Sequence, residues 1–207
     1  MRPLRSSVAL LAIALAACDD VPRRVTAAGE PSRVVLTPVC VTFDPFAGLA
    51  GGGAAGNSPG DLFFTENGIP VTLHTFVHLP GFGTAFGDAA VVDSFPFFGD
   101  DQIGHTANIN LGFTFTSAAL GFTPASVTFK WRDHGGHENL KVNNSAIHVG
   151  ELTASPTPMG GAAVSHNVTF TAPMGAFKLG NTTITGAVGT LGVGGQEFHI
   201  ENVCANP

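Results

Sequence analysis

Short segments in which apolar and polar residues alternate, separated by glycine- and proline-rich turns, are the feature that most restricts how this chain folds. In the clearest of them, Ile109–Thr116, Leu111, Phe113 and Phe115 alternate with Asn110, Gly112, Thr114 and Thr116. This two-residue period predicts strands with one buried face. The chain has 27 glycines and 14 prolines, and strand-like segments recur along it with no long helical pattern between them. An antiparallel all-β sandwich or barrel is therefore predicted.

The N-terminus has the layout of an export signal. A charged start with Arg2 and Arg5 precedes a short apolar run, which ends in Leu15-Ala16-Ala17-Cys18. The run is too short to cross a membrane, and its last four residues resemble a bacterial lipobox, which implies cleavage before Cys18 and acylation of that cysteine. We therefore predict a lipoprotein signal peptide at residues 1–17, a lipidated N-terminus with a flexible tether at 18–38 and a β-sandwich domain at 39–207. An ordinary signal peptide with a chance cysteine is the alternative.

Charge and aromatic content exclude some partners. The formal net charge is −6, and from Val39 onward four basic residues face twelve acidic ones, which gives −8. A domain with so few cations is not expected to bind nucleic acid. The 17 phenylalanines against one tryptophan and no tyrosine place the aromatic mass in the core, because phenylalanine has no polar group to present to water.

Two cysteines bracket the predicted domain. With Cys18 assigned to lipid, Cys40 in the first strand and Cys204 in the last remain. Export places both in an oxidising compartment, where a disulfide is the default, and two free buried thiols are the alternative. A bridge between them makes the first and last strands neighbours.

Four blocks of sequence resemble a family of uncharacterised secreted bacterial jelly-roll domains. They are Cys40-Val-Thr-Phe-Asp44, Pro59–Phe63 with Asn67-Gly-Ile69, Gly135-Gly-His-Glu-Asn-Leu-Lys-Val-Asn143 and Gly194-Gly-Gln-Glu-Phe-His-Ile-Glu-Asn-Val-Cys204. The resemblance implies a jelly-roll-like sandwich, similar to carbohydrate-binding jelly rolls. In those, acids of the first and last strands often hold a structural Ca²⁺, which implies Asp44, Glu201 and Asn202 as ligands here, although Glu201 stands where aspartate is usual.

The segment Val127–Val149 is interpreted as a strand, a polar turn, a strand, a tight turn and a strand, with its first turn at the surface. Val127, Phe129 and Trp131 alternate with polar residues, which predicts that the first strand has one buried face. The predicted ligand-binding residues lie at that first turn: Trp131, Arg132, Asp133, His134, His137 and Glu138. Carboxylates, histidines and a guanidinium can all hydrogen-bond to sugar hydroxyls. A structural β-turn with a core tryptophan is the alternative.

Two chemical alternatives use the same turn. His134 and His137 could supply two ligands to Zn²⁺ or Cu²⁺, with His105, His148 or His199 as a third. Asp133 and Glu138 could instead act as paired carboxylates of a polysaccharide-active enzyme.

The sequence thus predicts a lipid-anchored, extracytoplasmic module of the bacterial cell envelope that binds glycan or serves a structural role. An enzyme is the first alternative. A protein–protein adaptor using the phenylalanine-rich segment Pro80–Phe98 is the second.

Overall fold

The computed structural model describes residues 35–93 and 102–207. Three predicted features therefore lie outside the described residues: the signal peptide at 1–17, the lipidated Cys18 and the tether up to residue 34. Three phenylalanines of the predicted adaptor segment, Phe95, Phe97 and Phe98, also lie outside them.

The described residues form fifteen strands in two antiparallel sheets, which confirms the predicted all-β fold. The first sheet contains β1 (Val39–Val41), β2 (Ala50–Gly52), β6 (Asp88–Asp93), β7 (Gln102–Ala107), β9 (Ser126–Asp133), β12 (Ala163–Thr171), β13 (Lys178–Thr185) and β15 (Phe198–Asn206). The second contains β3 (Leu62–Glu66), β4 (Ile69–Val77), β5 (Thr84–Ala85), β8 (Ile109–Thr114), β10 (Glu138–Val142), β11 (His148–Gly150) and β14 (Thr190–Gly195). One α-helical turn (Ser117–Leu120) and three 3₁₀ turns (Asp44–Phe46, Leu152–Ala154 and Pro173–Gly175) lie between them.

The chain crosses repeatedly between the sheets, as in a jelly roll. From β7 to β10 each successive strand joins the opposite sheet, and β13, β14 and β15 do the same. The first strand pairs with the last, and Cys40 lies directly opposite Cys204. The predicted Cys40–Cys204 disulfide is present, with 4.0 Å between the two Cα atoms.

The core lies between the sheets and follows the alternation in the sequence. In the second sheet, Leu73, Leu111, Val193 and Leu140 form one cross-strand row of fully buried side chains. In the first sheet, Val127, Phe129 and Trp131 of β9 point inward and are at most 1 % exposed. Each such large apolar side chain contributes roughly 1.5–3 kcal/mol by leaving water.

Trp131 is fitted against a glycine of the neighbouring strand. It lies opposite Gly180 of β13, and a Cβ atom at Gly180 would come within 2.3 Å of the indole ring. Trp131 is therefore a core residue, in agreement with the alternative interpretation of the turn.

The segment predicted to form a hairpin after β9 is instead a crossover between the sheets. Strand β9 pairs with β13 and β15 of the first sheet, whereas β10 pairs with β11 and β14 of the second. Gly135 and Gly136 have φ angles of 98° and 97°, in the left-handed region that favours glycine, and they turn the chain from one sheet to the other. The strand–turn–strand pattern was correct, but the pairing of β9 with β10 was wrong, because a local pattern does not reveal a strand's partners.

Candidate functional site

The six residues predicted to bind ligand at this turn are distributed over different surroundings. Trp131 lies in the core, and Arg132 stacks on Phe177 on the outer face of the first sheet, 4.6 Å from the ring centroid. Asp133 and Glu138 are 4 % and 1 % exposed. The turn therefore presents fewer of these side chains to solvent than the sequence suggested, and their role in binding stays a prediction.

The two histidines of the turn have different neighbours. The ring of His134 lies 5.2 Å from that of His199, between centroids, on the first sheet's outer face. The ring of His137 lies 5.6 Å from that of His78 and 5.1 Å from that of Phe76. This arrangement does not fit the interpretation of His134 and His137 as two ligands of one metal ion.

Three carboxyl groups meet where β9 ends and β10 begins. Oxygens of Asp133, Glu138 and Glu151 lie within 4.8 Å of one another, so this acidic cluster could hold a metal ion. Glu151 is exposed and forms an ion pair with Lys178. Glu138 Oε2 accepts a hydrogen bond of 2.9 Å from the backbone N–H of Leu152. Within the described residues it is the one group of three or more acidic, histidine or cysteine side chains with such spacing.

Burial changes the protonation of this cluster. Loss of solvation, and next the negative charge of Asp133, raise the pKa of Glu138 to about 8. At neutral pH Glu138 is therefore mostly protonated, which lowers the negative charge that the cluster buries.

The predicted calcium ligands make hydrogen bonds within the protein. Asp44 Oδ1 accepts from the backbone N–H of Gln102 at 3.0 Å. Glu201 Oε1 lies 3.2 Å from Lys130 Nζ and accepts a hydrogen bond from the side chain of Asn202. A metal at Glu201 would thus compete with an ammonium group, and the site stays a prediction.

The sequence did not predict a groove that lies on the outer face of the second sheet. It has a volume of about 600 Å³ and is lined by β4, β8, β14 and β10, with the loops around Pro59 and Ile147 at its sides. One cross-strand row in it reads Thr72, Gly112, Gly192, Lys141. The next reads His74, Asn110, Gly194, Asn139. Four strands at about 4.8 Å spacing make each row about 14 Å long.

Glycines form the middle of the groove floor. A Cβ atom at Gly112 would come within 2.5 Å of the His74 ring, so the absence of a side chain there lets the imidazole lie across the strand. A Cβ atom at Gly192 would meet nothing closer than the Cβ of Lys141, at 3.6 Å. Gly192 therefore leaves open space above the sheet.

Two asparagines form a hydrogen-bonded unit at one end of the floor. Asn139 Oδ1 accepts from the backbone N–H of Val77 at 2.7 Å and from Asn110 Nδ2 at 3.0 Å. Asn110 Nδ2 also donates to the carbonyl oxygen of Thr75 at 2.9 Å. Asn110 is 5 % exposed, and its Oδ1 has no hydrogen-bond partner in the described parts of the chain.

The signal for this groove was present in the sequence but spread over distant strands. The outward positions of β8 are Asn110, Gly112 and Thr114, and those of β14 are Thr190, Gly192 and Gly194. Each set alone resembles the solvent face of any strand. Only the register between strands shows that the polar and glycine positions adjoin.

A smaller hollow of about 410 Å³ lies beside the segment predicted to act as an adaptor. It is lined by His78, Leu79, Phe82, His137 and Gln196, and Phe82 is 78 % exposed. The exposed ring agrees with the apolar surface that an adaptor requires, without identifying a partner.

In comparisons with known proteins, no protein-family model, no curated protein and no solved structure matches the chain. The resemblance to secreted jelly-roll domains thus stays a prediction. In the described residues no helix is long and apolar enough to cross a membrane.

Proposed function

We propose that the protein is a binding module for hydroxyl-rich chains, that is, for glycan, and that the groove of the second sheet is its binding site. The observation that carries this proposal is the open floor at Gly192, bordered by the exposed side chains of His74 and Lys141. The floor provides space for a ligand, and the border provides donors and acceptors.

The lining offers hydrogen-bonding groups to hydroxyls. Threonine hydroxyls at Thr72, Thr114 and Thr190 and the amide group of the exposed Asn144 add to the polar part of the border. A sugar hydroxyl can donate and accept at the same time, so it can satisfy such groups in pairs. The affinity then comes from many hydrogen bonds, because the single tryptophan of the chain lies in the core and the chain has no tyrosine.

A side chain placed on the floor tests the proposal. Gly192→Gln would project into the groove from a strand position with open space above it. Ser165→Gln is the control, since Ser165 is exposed on β12 of the other sheet. Affinity electrophoresis against a panel of neutral and acidic polysaccharides should show retardation of the wild type and of Ser165→Gln, and free migration of Gly192→Gln. Equal retardation of all three proteins would place binding elsewhere.

A lipid anchor at Cys18 in the bacterial cell envelope belongs to the same proposal. The lipobox-like end of the apolar run supports it. The Cys40–Cys204 disulfide is typical of exported proteins and agrees with it.

A structural Ca²⁺ is proposed with two sets of oxygen ligands to compare. One is the set implied by the resemblance, Asp44 with Glu201 and Asn202, and the other is the acidic cluster of Asp133, Glu138 and Glu151. Ca²⁺ that binds only the folded protein raises its Tm. Loss of that rise in Asp44→Asn would favour the first set, and loss in Glu151→Gln the second. No change in Tm between EDTA and excess Ca²⁺ would contradict both.

A further inference from the structure

Among the described residues, one cation of the groove has no acidic partner. These residues include three lysines, of which Lys130 pairs with Glu201 and Lys178 with Glu151. Lys141 is exposed on β10, and its side chain makes no ion pair or hydrogen bond within residues 35–93 and 102–207. Its strand position opposite Gly192 places it beside the open part of the floor.

Among the described residues, the lining of the groove contains no carboxylate. This differs from the domain as a whole, because from Val39 onward acidic residues outnumber basic ones by twelve to four. A lone cation in a hollow free of acids attracts anions more strongly than one on an acidic surface would, because no neighbouring carboxylate offsets its charge.

The imidazole of His74, which lies across the floor, is held neutral by burial and by the charge of this lysine. Burial and, next, the positive charge of Lys141 lower the pKa of His74, so the imidazole is mostly neutral at neutral pH. His74 Nε2 lies 2.8 Å from Thr72 Oγ1, and this pair can exchange hydrogen bonds with a ligand hydroxyl. Lys141 is thus the permanent charge of the groove, and the rest of its described lining is uncharged at neutral pH.

From these observations we infer that the groove selects glycans that carry anionic groups, with Lys141 bound to the anion and the neutral lining bound to the hydroxyls. This inference rests on the proposed glycan-binding function and adds the substrate class. The anionic group is either a uronate carboxylate or a sulfate ester, which present similar oxygen acceptors to an ammonium group.

Two pairs of polymers test the inference, each with one charged and one neutral member. Polygalacturonate is compared with its methyl ester, and dextran sulfate with dextran, by affinity electrophoresis of the purified protein. Binding to at least one charged polymer should exceed binding to its neutral counterpart. Preference for polygalacturonate would identify a carboxylate as the anion, and preference for dextran sulfate a sulfate.

Three variants assign the preference to Lys141. Lys141→Gln should reduce the affinity for the preferred anionic polymer by about 10- to 100-fold, the range expected for a charged hydrogen bond. Its affinity for the neutral counterpart should not change. Lys141→Arg should keep most of the preference. Lys178→Gln, which changes the net charge equally on the other sheet, should bind as the wild type does.

The outcomes separate this inference from the function on which it rests. If Gly192→Gln abolishes binding but the wild type binds charged and neutral polymers equally, the groove remains the proposed site and the inference about anionic groups is wrong. Equal losses in Lys141→Gln and Lys178→Gln would also overturn it, since they indicate attraction by net charge alone. If none of the four polymers binds, or Gly192→Gln binds as the wild type does, both proposals fall.

Discussion

Lys141 and Gly192 lie directly opposite each other in β10 and β14, and a Cβ atom at Gly192 would be 3.6 Å from the lysine Cβ. This distance is an ordinary van der Waals contact, so the strand could accept a side chain at Gly192 without rearrangement. The floor is open at this point because residue 192 is a glycine, and the packing of the sheet would permit a larger residue there. At Gly194, two residues further along β14, the packing leaves no room for a side chain.

Alanine substitutions at Gly192 and Gly194 should differ in their effect on stability. A Cβ atom at Gly194 would lie 2.1 Å from the backbone carbonyl oxygen of Ile109, which cannot move without disturbing β8. Gly194→Ala should lower the free energy of unfolding by about 1–3 kcal/mol, as expected for overpacking. Gly192→Ala should change it by less than about 0.5 kcal/mol. Chemical denaturation of the two variants measures the difference, and equal losses would show that the floor is more tightly packed than described.

The pH dependence of stability should reveal the raised pKa of Glu138. In the unfolded chain this carboxyl ionises near pH 4.5, and in the folded protein near pH 8. Between these values the folded state holds the extra proton, so its contribution to stability falls as the pH rises. Glu138→Gln imitates the protonated form and can keep the acceptor for the Leu152 N–H.

The measurement is Tm against pH for both proteins. The wild type should lose stability relative to Glu138→Gln from about pH 4.5 to pH 8, with no further relative loss above pH 8. If the variant is instead less stable by a constant amount at every pH, Glu138 does not carry its proton in the folded state.

Acid should destabilise the protein through His199. Burial, and next the charges of His105, His134 and Arg132, lower its pKa from 6.5 to about 3. Between these values the unfolded chain binds the proton and the folded protein does not, so stability falls as the pH falls below 6.5. His199→Gln should reduce the slope of Tm against pH in this range. A parallel shift with an unchanged slope would assign the acid sensitivity to other groups.

Processing at Cys18 can be tested in the bacterial envelope. Cys18→Ser should release the protein from the membrane fraction, because the acyl chains would have no attachment site. Fractionation and immunoblotting of the wild type and the variant show which of them stays with the membranes. A variant that is processed and remains with the membranes would contradict the predicted anchor.

The sequence predicted those features of the fold that depend on local pattern. The alternation in Ile109–Thr114 and Val127–Trp131 identified the buried faces, and export chemistry identified the bridge between Cys40 and Cys204. The alternation can be seen within a single strand, and the oxidising compartment follows from export, so neither prediction requires knowledge of how the strands pair. These predictions were confirmed.

Features that depend on strand pairing were not predictable in the same way. The turn after Asp133 has the composition of a hairpin turn but leads from one sheet to the other, because β13 and β15 take the positions beside β9. Gly192 and Lys141 are fifty-one positions apart and become neighbours only through the register of β10 with β14. No local pattern contains that register, so the groove could be found only in the structure.

The location of a bound glycan is the most direct test of the account. Hydrogen–deuterium exchange would be measured on the purified protein, alone and with the polysaccharide that retards it most in affinity electrophoresis. The account predicts slower exchange in the groove segments 110–114, 139–144 and 190–192, and unchanged exchange in residues 163–171 of the other sheet. Protection at residues 131–138 without protection of the groove segments would contradict it and return the binding site to the turn between β9 and β10.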